Sequence, residues 1–154
     1  MKTLTDRDAN RVDFTPRRTT IRELGRLTPP SRRPYDRRAG AAERQLFCIE
    51  AWIIEPPRPQ EDGDLHVALI QVGDTTARML VEIPDVRCAT VCSSPYAAAF
   101  AQARLTMERA LKSWKGDSLR VRVVGVGFFD RNHGQFGAAR NFFELHPVLA
   151  VSFP

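Results

Sequence analysis

The chain has 154 residues, with 23 Lys+Arg against 18 Asp+Glu for a formal charge of +5, and is 43% apolar and 27% charged. That is one domain of ordinary globular composition, with no run near the roughly 18 apolar residues of a membrane span and, in MKTLTDRDAN, no apolar secretory core. A transmembrane protein is excluded, no membrane partner is expected, and the expected compartment is the cytoplasm. Cys48, Cys88 and Cys92, odd in number and without CxxC spacing, read as reduced thiols rather than as a disulfide or zinc framework.

The charge is uneven along the chain. Residues 1–44 carry 12 Lys+Arg and 6 acids, and the remainder 11 and 12. The first segment holds the doublets Arg17-Arg18, Arg32-Arg33 and Arg37-Arg38, prolines at 16, 29, 30 and 34, and no apolar period long enough to bury. It reads as a disordered, basic arm with one helical turn around Thr20 to Arg26. Arginines of this kind neutralise phosphates and release counterions, so nucleic acid is the expected partner of Arg17, Arg18, Arg32, Arg33, Arg37 and Arg38. A solvated linker is the alternative.

From residue 45 the pattern turns to strands. LFCIEAWIIE is rich in β-branched and aromatic residues and stops at Pro56-Pro57, which predicts a first strand over 45–55. LHVALIQV and TTARMLVEIP around Gly73-Asp74 predict a hairpin. Ser93 or Ser94 before Pro95 has helix-start chemistry, and Phe100, Ala103, Met107, Leu111 and Trp114 recur at helical spacing before Gly116. LRVRVVGVGFF alternates and predicts a fourth strand, whose Gly125 and Gly127 suit a bulge. NFFELHPVLAVSF predicts the fifth. The β-β-β-α-β-β order is that of a five-stranded OB-fold barrel over 45–154, mainly β, with one helix between its third and fourth strands.

In EDGDLHVALIQVGDTTARMLVEIPD, Asp62 and Asp64 flank a glycine at the mouth of the second strand, and Glu82 and Asp85 flank Pro84 at the end of the third. Hard carboxylate oxygens thus converge from neighbouring strand ends, as a divalent cation requires. Turn formation and backbone capping by the same residues are the alternative.

This segment, with the Pro-started Ala/Phe-rich helix and the long hairpin after it, resembles the staphylococcal-nuclease (thermonuclease) superfamily of OB-folds. The resemblance implies metal-dependent phosphodiester hydrolysis of DNA and RNA, with calcium held by carboxylates at Asp64 and Glu82 and a general base at Asp85. Arg78 lies near the place of the first phosphate-clamping arginine, one residue closer to the acid than in that family. The turn that supplies the second arginine reads His133-Gly134-Gln135 here, so that clamp is missing. The HGQFGAARN and ELHPVL segments also resemble uncharacterised bacterial domains with DGD-x-H and ELHPV segments, a likeness that brings no activity with it.

All three histidines fall in these segments. Residues i and i+2 of a strand share a face, so Asp64 with His66, and Glu144 with His146, form polar pairs that adjacent strands could unite. Such a set favours Zn, Mn, Fe or Ni over Ca, with His133 as a mobile acid/base or phosphate ligand; the expected cofactor is a divalent metal, Ca, Mg, Mn or Zn, and no organic cofactor is expected. The alternative is a solvated strand face or a satisfied hydrogen-bond pair. The doublets Phe128-Phe129 and Phe142-Phe143 could stack bases, although alternation puts one of each pair in the core. Beside a nuclease stand two other readings: a non-catalytic nucleic-acid-binding barrel, and a protein-interaction domain.

Overall fold

In a computed structural model, residues 1–31, 37–116, 118–131, 134 and 136–154 are described. Seven strands form one sheet: β1 (Asp13–Arg18), β2 (Gln45–Ile53), β3 (Arg58–Pro59), β4 (Leu65–Gln71), β5 (Asp74–Ile83), β6 (Leu119–Phe129) and β7 (Phe143–Ser152). Their order is β1-β2-β6-β7-β5-β4-β3, and an additional β2–β4 pairing closes the middle five into a barrel. All pairs within that barrel are antiparallel except β5–β7, which is parallel. The five predicted strands are the five barrel strands. Gly73, at φ +78°, makes the tight β4–β5 turn that suits glycine.

Alternation decides which side chains fill the barrel. Odd-numbered residues point inward: Phe47, Ile49, Ala51 and Ile53 of β2, Val67 and Leu69 of β4, Met79, Val81 and Ile83 of β5, and Val121 and Val123 of β6. In β7 the phase changes, from Phe143 and Leu145 to Val148. Leu145 pairs with Gly127 and Val148 with Gly125, so β7 has two residues, His146 and Pro147, where β6 has one. This bulge packs so closely that a Cβ on Gly125 would lie 2.9 Å from Leu145 Cβ and 3.0 Å from the Pro147 carbonyl. The expectation of irregularity at these glycines thus holds, and the extra residue belongs to the partner strand. The His146–Pro147 peptide is cis.

The helix begins later than Ser94 predicts. A short α2 (Ala89–Cys92) comes first, and α3 runs over Ala97–Ser113. The Ser94 hydroxyl accepts a hydrogen bond from the Tyr96 amide, in the turn that precedes α3. Phe100, Ala103 and Met107 are buried, on the predicted face. No helix among the described residues is long and apolar enough to cross a membrane.

The expectation of a disordered arm over 1–44 is corrected for its described residues. β1 pairs parallel to the start of β2. The predicted helical turn is α1 (Ile21–Leu24), closed by a capping box between Thr20 and Glu23. Ile21 and Leu24 join the barrel core. Leu4 and Val12 form a second core with Leu46, Val91, Phe100 and Val126 on the barrel's outer surface. Arg38, expected on nucleic acid, has a fully buried side chain. It bonds Asp6 and the carbonyl oxygens of Met1 and Glu43, while Glu43 accepts from the Phe129 amide at 3.0 Å. No boundary at residue 45 separates two units, because both cores draw on both sides of it. Composition misleads here because each N-terminal element contributes only one or two apolar anchors, too few to show a period.

A buried histidine and carboxylate cluster

Even-numbered residues of β4, β5 and the first half of β7 face away from the barrel interior, and there the polar groups gather. His66 on β4 lies directly opposite Glu82 on β5, and Val81 pairs with Leu145 on β7, which brings Glu144 and His146 beside Glu82. Asp64 enters from the turn before β4. His146 Nδ1 is 2.5 Å from Glu82 Oε2 and 3.3 Å from Glu144 Oε1, and its Nε2 is 3.2 Å from Asp64 Oδ2. His66 Nε2 is 2.6 Å from Glu82 Oε1. The sequence-predicted set Asp64, His66, Glu82, Glu144 and His146 is therefore one cluster.

Two members were not legible. Lys2 reaches Glu82 Oε2 at 3.5 Å, from a segment whose composition suggests no fixed place. Asp130 joins Glu82 and Glu144 in a set whose oxygens lie within 4.8 Å of one another. Asp130 follows directly on β6, two residues after Phe128, which pairs with Glu144. The Phe128 ring meets the His146 ring edge-on at 6.0 Å, with Lys2 5.7 Å from its centroid.

Burial makes the charge balance of this cluster matter. Burial opposes the charge on His146, but Glu82, Asp64 and Glu144 outweigh it and raise its pKa well above 6.5. Burial alone would raise Glu82; His146, His66 and Lys2 prevail and hold it well below the usual carboxylate range. Glu144 goes the other way, pushed up to about 7 by burial and by Glu82 against its hydrogen bond to His146. Lys2 stays above its ordinary value despite desolvation, because Glu82, Glu144 and Asp130 surround it. The site thus sets Asp64, Glu82 and Glu144 around the His146 imidazolium, with the Lys2 ammonium against Glu82 and His66 at its edge. Its donors fit a divalent cation: Asp64, Glu82 and His146 each offer an atom within 4.8 Å of the others. Glu82 Oε1 and His146 Nε2 are buried, and each faces an oppositely charged or ionisable group, His66 Nε2 at 2.6 Å and Asp64 Oδ2 at 3.2 Å.

The other predicted residues lie elsewhere. Asp62 is exposed and braces the turn by accepting from the Asp64 amide. Asp85 donates its backbone amide to Asp64 Oδ1 at 2.8 Å, but its carboxylate is gripped by Arg87 at 2.9–3.1 Å. Those hydrogen bonds hold its pKa down to about 2, which makes it a weak base. Gly63, at φ +86°, lets that carboxylate approach, because a Cβ there would collide with it. Arg78 is exposed on β5, four residues from Glu82, and lines a different groove. Arg17, Arg18 and Arg37 are exposed, while Arg32, Arg33 and His133 lie outside the described residues. Phe129 and Phe143 stack edge-on in the core at 4.8 Å and present no platform for bases. The three thiols are free.

One opening leads toward the cluster. A cavity of about 260 Å³ is lined by His66, Arg58, Leu80, Gly134 and Phe136, among others. Phe136 is 61% exposed and has the Arg58 guanidinium 5.9 Å from its ring centroid.

No family model, curated protein or solved structure matches the chain.

Proposed function

We propose that this chain is an OB-fold barrel that holds a divalent cation on Asp64, Glu82 and His146 and hydrolyses phosphodiester bonds of DNA or RNA. The observation that carries the cation site is the convergence of Asp64, Glu82 and His146, buried residues that each offer a ligand atom within 4.8 Å of the others. The closure order of the five strands and the parallel β5–β7 pair support the OB-fold reading. With an imidazole among the ligands, Mn or Zn suits the site better than Ca.

A bound cation there would lower the pKa of a water and offset charge on a phosphoryl oxygen. The chain's own residues supply the rest. His66, 12% exposed at its side chain and touching Glu82, can carry a proton between the cluster and the cavity. Arg58 lines that cavity and offers a guanidinium fork to a phosphate. Phe136 offers its rim a face on which a base can stack. His66 replaces Asp85 as the base in this scheme, since Asp85 is committed to Arg87.

A second reading rests on the 2.5 Å contact between His146 and Glu82: an imidazolium, rather than a metal, balances the acids, and the domain only binds. Calorimetric titration with Mn, Zn, Mg and Ca, joined to a degradation assay on single- and double-stranded DNA and RNA, separates the two. The proposal expects one equivalent of cation and metal-dependent cleavage in the wild type, with both lost in Glu82→Gln and in Asp64→Asn. Folded protein that neither binds a cation nor cleaves establishes the second reading.

A further inference from the structure

A larger cavity lies away from the cluster. It measures about 820 Å³ and is walled by α1, the start of β5 and residues 138–140. Four arginines line it, Arg22, Arg26, Arg78 and Arg140, and no carboxylate does among the described residues. Arg22 is held by Asp74. Arg26, Arg78 and Arg140 are exposed, and their guanidiniums make no hydrogen bond or ion pair with a described residue. Gathering like charges costs free energy that an anionic ligand would offset.

The walls are fixed. The Asn141 side-chain amide donates to the carbonyl oxygens of Leu24 and Leu27, both at 2.9 Å, which ties the 138–141 segment to α1 and the residues after it. Gln71 Oε1 accepts from the Arg22 amide at 2.9 Å, which ties α1 to the β4–β5 hairpin. Between the arginines the lining consists of small residues, Gly25, Ala77, Ala138 and Ala139, with the hydroxyls of Thr75 and Thr76. A chain of phosphates can therefore come close, while no aromatic side chain among the described residues of this lining offers a face to stack bases.

We infer that this groove binds the sugar-phosphate backbone of single-stranded nucleic acid, independently of sequence. Three guanidiniums, of Arg26, Arg78 and Arg140, drawn from three segments suit several phosphates in succession rather than one. Arg78 and Glu82 share a strand face four residues apart, roughly 13 Å along β5. The 136–140 segment crosses that face between them, since a Cβ on Gly137 would touch Ala68 and Leu80. The groove and the His66 cavity thus lie on either side of this segment, with no lining residue in common. The inference deepens the phosphodiester reading and rests on it for the choice of ligand, but it is read as binding and needs no catalysis.

The test is fluorescence anisotropy of a labelled 12-nucleotide oligo-dT and its RNA counterpart, in EDTA, at 50–200 mM salt. Wild type should bind with a negative log–log salt slope. Arg26→Glu with Arg140→Glu should weaken binding at least about tenfold and flatten the slope by about 0.7 for each arginine. Arg140→Gln alone, on an exposed segment, should give a smaller loss in the same direction. Arg109→Glu on α3, which does not line the groove, should change little. Unchanged affinity in the double variant, an equal loss in Arg109→Glu, or displacement by a mononucleotide at the same concentration as unlabelled oligonucleotide would overturn the inference. Metal-dependent cleavage that persists without groove binding would remove this inference alone. Groove binding without cleavage would remove the catalytic reading alone.

Discussion

His146 Nδ1 lies 2.5 Å from Glu82 Oε2, and neither side chain has any solvent exposure. Removing one partner of a buried ion pair leaves the other charge uncompensated, which costs about 3–5 kcal/mol. His146→Ala should therefore lower unfolding free energy by about that amount in urea at pH 6. A loss below about 1 kcal/mol would mean that Glu82 takes up a proton or finds another partner at little cost.

The pH dependence of the metal-free protein follows from two groups. Glu144 is raised to about 7 from an ordinary 4.5, so the folded state holds a proton that the unfolded chain has released, and stability falls as pH rises through that interval. His146 is raised well above 6.5, so its contribution is complete below 6.5 and is lost as pH climbs through the folded value. Glu82, held low, acts in the opposite sense only in acid, below about 4.5. In EDTA, stability should thus be greater at pH 5.5 than at pH 8. Glu144→Gln should flatten the fall between 4.5 and 7, by up to about 1 kcal/mol per pH unit. Denaturation at a series of pH values checks both, and an unaltered profile in the variant would contradict the assignment.

Arg38 is a structural residue. Its guanidinium, wholly buried, joins Asp6, Met1 and Glu43. Arg38→Ala should cost about 3 kcal/mol and leave nucleic-acid affinity of the folded protein unchanged. Chemical denaturation and anisotropy, measured on one preparation, distinguish this from a phosphate contact, which would show the reverse pattern.

Deleting residues 1–18 removes β1, Leu4 and Val12 and uncovers the second core. The truncated chain should lose its cooperative thermal transition and bind an apolar dye. A truncation with a sharp transition near that of the full chain would restore the reading of this segment as an independent arm.

Gly125 packs against the bulge that carries His146. Gly125→Ala should cost about 1–3 kcal/mol by overpacking, and it should also weaken cation binding, because it displaces Pro147 and hence its neighbour. A stability loss with undiminished cation affinity would separate the bulge from the site.

The barrel strands were legible because each repeats its apolar side chains every second residue, as in Leu119, Val121 and Val123. The cluster was partly legible for the same reason: Asp64 with His66, and Glu144 with His146, share faces by spacing alone. Lys2 was not, because a single charged residue near a terminus carries no period and its position depends on Leu4 and Val12 packing far along the chain. Asp85 was misleading: the family resemblance implied a base there, whereas Arg87, two residues on, claims the carboxylate. The bulge at His146-Pro147 could be sensed only through the glycines of the opposite strand.

The sheet order ends at β1 and β3, and both of these strands contain proline beside arginine: Pro16 with Arg17 and Arg18, and Arg58 with Pro59. Proline cannot donate to a further ladder, and fixed positive charges repel an identical neighbour. β1 also covers the part of β2 that β4 leaves unpaired, since β4 pairs only with Ala51, Trp52 and Ile53. The segment that departs most from expectation therefore guards the sheet against growing from one molecule into the next.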